Sequence, residues 1–264
     1  GLYSGLPGRK LGAGRGEPVI RQQRSTLAQS YLTMPPRIHR FVSNDLLIKE
    51  LCERIAMLAS ECIDKQGYFS IILAGGETPR ELYRQLRHIA TDWQYWHIYF
   101  GDERCLPVGD AERNDTMATT AWLHYVAIPR VQIHGVPARD NVNTAAADYA
   151  AILQQAPGFD LALLGLGEDG HTASLFPGDV PPDNSTALAI AVTQAPKLPA
   201  RRVTMSPQCL SLSSAVWFVV SGSNKRKILE AWLAGAPLPP QAVKPYAGID
   251  IFTDLDIEPN VMDS

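Results

Sequence analysis

The chain predicts an α/β fold, a mostly parallel sheet covered by helices on both faces. Three observations carry that prediction. Short apolar runs alternate with stretches of helical periodicity along most of the 264 residues. Some runs, such as 161–164 and 215–220, are continuously apolar, which suits strands buried on both faces. Three of the runs end in a glycine-bearing turn, the connection expected where a parallel strand feeds a helix.

Residues 1–33 stand apart. They are glycine-rich, carry Arg9, Lys10, Arg15, Arg21 and Arg24 against only Glu17, and show no sustained period. Met34-Pro35-Pro36 reads as a natural start, so 1–33 is expected to be a vector-derived or upstream extension, disordered for most of its length, with a targeting segment as the alternative. Residues 34–264 are expected to form a single α/β domain.

A helix starts at Ser43, with Leu47, Leu51, Ile55, Leu58 and Cys62 on one face and Gly67 closing it. Residues 68–73 (YFSIIL) read as a strand that runs into Ala74-Gly75-Gly76-Glu77-Thr78-Pro79 and then a helix. Pro79 suits the first helical position. Backbone N–H groups at such a turn, with the helix dipole and the Thr78 hydroxyl, can hold an anion. Residues 97–100 form a second strand, inside which His97 reads as a core or edge residue. It ends in Gly101-Asp102-Glu103-Arg104, which by itself is equally a solvated turn. A helix over 116–126, a strand over 131–136 and an alanine-rich helix over 143–155 follow.

The strand 161–164 delivers Gly165-Leu166-Gly167-Glu168-Asp169-Gly170-His171. Alone this is either an ordinary turn or an acid–base site, since glycine lets backbone approach a ligand and parallel strands present their carboxyl ends to one. Pro177, Pro181 and Pro182 then predict a surface loop. Strands are expected over 187–192, 202–206 and 215–220, the last running through Ser221-Gly222-Ser223-Asn224 into a helix over 225–233. Lys225 stands at that helix entrance, against the dipole preference, which an anion would offset.

Composition excludes several classes. The net charge of −3 lacks the basic face of a nucleic-acid binder. No apolar run approaches the roughly 20 residues of a membrane span. Cys52, Cys62, Cys105 and Cys209 are scattered without CxxC spacing, as expected for small buried residues in a reducing, cytoplasmic setting. No GxSxG elbow is present, and no second histidine or cysteine at ligand spacing joins Asp169 and His171, so neither a metal nor another cofactor is expected.

Taken in order, GGETP, GDER, GLGEDGH, RVT and SGSNK, with the closing segment Val243-Lys244-Pro245…Gly248…Phe252…Asp254, resemble the glucosamine-6-phosphate isomerase/6-phosphogluconolactonase family, most of all its lactonase branch, over about residues 38–254. The resemblance implies a Rossmann-like three-layer sandwich. It also implies that Gly75, Gly76 and Thr78 cradle phosphate, that Arg202 and Lys225 hold the sugar phosphate, and that Asp169 and His171 are the acid–base pair. Asp102 matches the carboxylate that moves a proton in amino-sugar isomerases. Two departures separate the branches. Isomerases carry Asp-Glu-Tyr where this chain has Asp102-Glu103-Arg104, and a glutamate five residues after the motif histidine, where this chain has Phe176. Phenylalanine cannot relay a proton, and Arg104 adds a cation for an acidic sugar phosphate.

The implied activity is therefore hydrolysis of 6-phospho-D-glucono-1,5-lactone, a small sugar-phosphate substrate. His171 is the general base, because imidazoles ordinarily titrate at about pH 6.5. Either Asp169 or Asp102 orients it, and amides of the 165–170 turn are candidates for the oxyanion site. The alternatives are an amino-sugar-6-phosphate deaminase/isomerase and a non-catalytic sugar-phosphate-binding regulator. A monomer or small homo-oligomer is expected, with no nucleic-acid or membrane partner.

Overall fold

The structure is a computed structural model that describes residues 34–257; the expectations for residues 1–33, and for the last seven residues of the domain, lie outside the described residues. In chain order the strands are β1 (Arg37–Arg40), β2 (Phe69–Leu73), β3 (Trp96–Phe100), β4 (Asp102–Arg104), β5 (Ile133–His134), β6 (Phe159–Leu164), β7 (Ala189–Val192), β8 (Arg202–Met205), β9 (Ser213–Val220) and β10 (Ile249–Thr253). The helices are α1 (Asn44–Gln66), α2 (Glu77–Leu86), α3 (Asn114–Ala121), α4 (Val142–Gln154), α5 (Pro207–Leu210) and α6 (Arg226–Leu233).

Seven strands make one sheet in the order β1-β10-β9-β6-β2-β3-β5, every neighbouring pair parallel. The central strands are apolar on both sides. Leu161 and Leu163 face one core with Trp217 and Val219, while Ala162 and Leu164 face the other with Val216, Phe218 and Val220. The first core is covered by α1 through Leu47, Leu51 and Ile55, and by α2 through Leu82, Tyr83 and Leu86. The second is covered by α4 through Ala145, Tyr149 and Leu153, and by α6 through Leu229 and Trp232. Two buried faces explain the continuous apolar runs and produce three layers.

Several local expectations shift. The helix expected after Pro79 begins at Glu77, capped by Gly76 at φ 111°. Pro79 is tolerated there because the first-turn N–H groups have no partner within the helix. The helix expected over 116–126 spans Asn114–Ala121 and breaks at Trp122, φ −147°, before a 3₁₀ turn over Leu123–Tyr125. The break seats the Trp122 ring against Tyr83, Trp93 and Trp96. The strand expected over 131–136 shrinks to β5, with a 3₁₀ turn over Arg130–Gln132 before it. β1 and β10, unassigned from sequence, pair with each other and close one side of the sheet.

The larger difference is a second, antiparallel sheet, β4-β8-β7. Residues 102–104, expected as a turn, are its first strand. The chain leaves β3 through a single residue, Gly101, whose N–H still bonds Leu73 O at 2.9 Å and whose carbonyl accepts from Met205 N at 2.7 Å. This small sheet therefore hangs from the carboxyl edge of the large one, above β2 and β6.

Candidate active site

A cavity of about 200 Å³ opens where the two sheets meet. The turn after β2 forms one wall. Tyr83, fully buried in α2, staples that turn: Ala74 N–H donates to its hydroxyl at 2.9 Å, and the hydroxyl donates to Ala74 O at 2.7 Å. Gly75 and Gly76 line the cavity. Thr78 does not; it is half-buried in the first turn of α2.

The turn after β6 forms the opposite wall. Gly167 N–H donates to His171 O at 2.7 Å and Gly170 N–H to Gly167 O at 2.9 Å, which folds the loop back on itself. Asp169 Oδ1 accepts from His171 N–H at 3.3 Å and meets His171 Nδ1 in a short hydrogen bond. A carboxylate only accepts, so this bond places a proton on Nδ1, and in the neutral ring Nε2 is the nitrogen left with a lone pair. Burial pushes the Asp169 carboxyl upward, but the bond to His171, its charge and Lys197 outweigh that and hold it below its usual range. The loop has no room for a larger residue at 167: a Cβ there would stand 2.0 Å from His171 Nδ1. Phe176, 4% exposed, packs its ring 5.0 Å from the imidazole.

Cations close the rest. Arg104 on β4 and Arg202 on β8 are direct cross-strand partners, so their side chains leave the small sheet on one face, and both line the cavity. Like charges so placed destabilise a sheet unless an anion lies between them. Arg202 is held by its own loop: Nε donates to Pro199 O at 2.9 Å and Nη2 to Lys197 O at 3.0 Å, while Nη1 takes part in neither bond. Burial lowers its pKa, partly offset by Asp102. Arg104 Nη1 bonds Glu112 O, and its buried Nε has no partner among the described residues. Lys225, in the 3₁₀ turn after β9, is the third cation on the cavity; burial lowers its pKa, against a raising influence from Glu168. Asn224 Nδ2 donates to Glu168 Oε1 at 2.7 Å and ties this turn to the histidine loop.

Asp102 reaches the cavity but is only 6% exposed. Its Oδ2 accepts from Ser174 Oγ at 2.6 Å and its Oδ1 from Asn114 Nδ2 at 3.2 Å. Of the two carboxylates open from sequence, Asp169 is the one hydrogen-bonded to His171. The structure thus brings His171, Gly75, Gly76, Asp102, Arg104, Arg202 and Lys225 onto one cavity, with Asp169 behind the imidazole and Thr78 outside.

Sequence reading passed over Asn114, Ser174 and Lys197. None stands in a glycine-rich turn, and each is polar in a segment with no signature of its own. Among the described residues no group of three or more His, Cys, Asp or Glu converges to hold a metal ion, and no helix is long and apolar enough to cross a membrane.

The chain is similar to known proteins over most of its length. Residues 42–252 match the family described as glucosamine-6-phosphate isomerases/6-phosphogluconolactonase. The 6-phosphogluconolactonase of Mycobacterium tuberculosis is 34% identical over 217 residues, which cover 77% of this chain and 88% of that protein. The 6-phosphogluconolactonase of Nostoc sp. is 37% identical over 195 residues, 69% of this chain and 79% of the relative. Among solved structures, the 6-phosphogluconolactonase of Thermotoga maritima superposes with a TM-score of 0.76 at 26% identity, covering 83% of this chain and 99% of the other.

Proposed function

The chain belongs to the glucosamine-6-phosphate isomerase/6-phosphogluconolactonase family, and on that premise we propose that it hydrolyses 6-phospho-D-glucono-1,5-lactone to 6-phospho-D-gluconate, a step of the oxidative pentose phosphate pathway. One observation carries the reading: an imidazole with its Nδ1 tied to Asp169 shares a cavity with three cations, Arg104, Arg202 and Lys225. Phosphate is held at the cation end, which places the lactone carbonyl against His171 and replaces a random encounter with an oriented one.

His171 Nε2 takes a proton from water as the water oxygen bonds to C1, and the carbonyl electrons move onto oxygen. Asp169, ionised through the neutral range, stabilises the imidazolium that forms. The tetrahedral intermediate then collapses, the bond from C1 to the ring oxygen breaks, and the proton returns from His171 to that oxygen. The oxyanion needs preorganised donors. The amides of Gly167 and Gly170, candidates from sequence, already donate within their loop. Gly165 and Leu166 also line the cavity and their amides make no such bond within the loop, which favours them for that role.

Phe176 supports the lactonase branch. Where an isomerase would have a carboxylate to open the sugar ring, an apolar ring packs on His171 with the Arg202 guanidinium 5.8 Å from its centroid. Cys52, Cys62 and Cys105 are in no disulfide, which supports a reducing, cytoplasmic compartment. The deciding assay is turnover of fresh 6-phosphogluconolactone beside the unphosphorylated lactone, each corrected for spontaneous hydrolysis. A preference of about 100-fold or more in kcat/KM is expected, worth about two oriented charge contacts. Equal rates on both lactones, or ammonia release from glucosamine 6-phosphate, would overturn the reading.

A further inference from the structure

Asn114 is an amide side chain on the cavity, and its orientation is settled by chemistry. Its Nδ2 faces Asp102 O at 2.9 Å and Asp102 Oδ1 at 3.2 Å. Both are acceptors, so the amide cannot be turned over: nitrogen must face Asp102 and oxygen must face away. Away from Asp102 lies the turn after β2. Oδ1 stands where a Cβ on Gly75 would come within 2.1 Å, so only glycine at 75 lets the carboxamide occupy that position.

The residue itself is held firmly. Its backbone N–H donates to Glu103 Oε1 at 2.7 Å, and the neighbouring Asp115 N–H donates to Glu103 Oε2 at 2.8 Å, so a fully buried carboxylate caps the start of α3. Asn114 is 4% exposed, yet Oδ1 accepts no hydrogen bond from any described residue. That oxygen is open to solvent in the cavity, where a ligand hydroxyl can take the place of water. Oδ1 is therefore a fixed acceptor open to the cavity, and a sugar hydroxyl is a neutral donor that suits it.

We propose that Asn114 is a specificity-determining substrate residue whose Oδ1 accepts a hydrogen bond from one ring hydroxyl of the sugar phosphate. The inference rests on the lactonase reading above and deepens it. Gly75 thereby has a second use besides the phosphate turn, because it admits the amide that reads the hydroxyl. An apolar pocket discriminates weakly against a missing hydroxyl, whereas a site built to bond one leaves its own acceptor unpaired when the hydroxyl is absent.

The test uses 6-phosphogluconolactone and its 2-, 3- and 4-deoxy analogues with the wild-type protein and Asn114→Ala. The wild type should lose about 10- to 100-fold in kcat/KM on at least one analogue. Asn114→Ala should lose a similar factor on the full lactone but less than about threefold, relative to wild type, on the one analogue that lacks the hydroxyl it reads. An equal penalty on all four lactones would mean that Asn114 only positions Asp102, and would overturn the assignment. So would a wild type that turns over every deoxy analogue as fast as the parent, a result that needs no variant. Should Asn114→Ala fail to fold, Asn114→Ser is read by the same criterion. A wild type inactive on the parent lactone overturns the lactonase reading itself and this inference with it.

Discussion

A single methyl group placed at residue 167 should silence the enzyme while leaving it folded. In Gly167→Ala the new Cβ would stand 2.0 Å from His171 Nδ1, 2.2 Å from Cε1 and 2.6 Å from Asp169 Oδ1. Ordinary carbon–nitrogen contact is roughly 3.5 Å, so the imidazole must retreat by about 1.5 Å. A displacement of that size breaks the Asp169 bond and takes Nε2 out of line with the lactone carbonyl. Misplacement by about 1 Å costs about 100-fold, and full loss of a general base about 100- to 10,000-fold, so kcat should fall within that span. The backbone need not be strained, because Gly167 is not among the glycines with positive φ. KM for the phosphorylated lactone should stay within about threefold, since Arg104, Arg202 and Lys225 are untouched. Moving a partly buried ring costs about 1–2 kcal/mol, a melting shift of roughly 2–8 °C. Gly135→Ala serves as control, because its methyl would meet Asp115 Oδ2 at an ordinary 3.6 Å. Initial rates on fresh lactone and a thermal melt decide the matter. A folded Gly167→Ala with kcat within threefold of wild type would refute the assignment of His171 as base.

Lys225→Ala should raise KM for the phosphorylated lactone about tenfold or more and leave turnover of the unphosphorylated lactone unchanged; an unaltered KM removes Lys225 from the site. Ser174→Ala deletes the 2.6 Å donor to the buried Asp102 carboxylate, and should destabilise the protein by about 1.5–3 kcal/mol in a denaturant titration; a neutral result would show that Asp102 re-pairs. His134 supplies a pH test remote from the site. Burial, and then the nearby His97 at 3.2 Å, push its pKa down to about 4, while its ring stacks on Tyr99. The unfolded chain therefore binds the proton first as pH falls, so stability present above the ordinary histidine range is lost between about 6.5 and 4. Discounted for the ring's partial exposure, this amounts to about 1–2 kcal/mol, and His134→Phe should flatten that part of the pH–stability curve. An identical slope in both proteins would rule out the mechanism.

The strands that carry the site were legible because each is apolar on both faces and ends in glycine; β2, β6 and β9 show this plainly. β1 (RIHR) and β10 (IDIFT) were not. Their polar positions are satisfied by each other, Arg37 and His39 both bonding Asp250, so neither reads as a buried run. The small antiparallel sheet escaped as a unit because β4 is three residues long, and its partner lies nearly 100 residues away. Thr78 was read with the double glycine; the helix that begins at Glu77 holds it in its first turn, and it is not among the residues that line the cavity.

Local chemistry alone was enough to predict the α/β class and the glycine turns at strand ends, while the roles on a sugar phosphate came from the resemblance of five motifs taken in order. The first two depend on periodicity and spacing within a few residues, which the chain carries openly. Which carboxylate meets the imidazole, that Arg104 faces Arg202, and that Asn114 lies across Gly75 depend on contacts between distant segments. They follow from where the small sheet joins the large one at Gly101, a junction fixed by bonds to Leu73 and Met205, far from it in the chain.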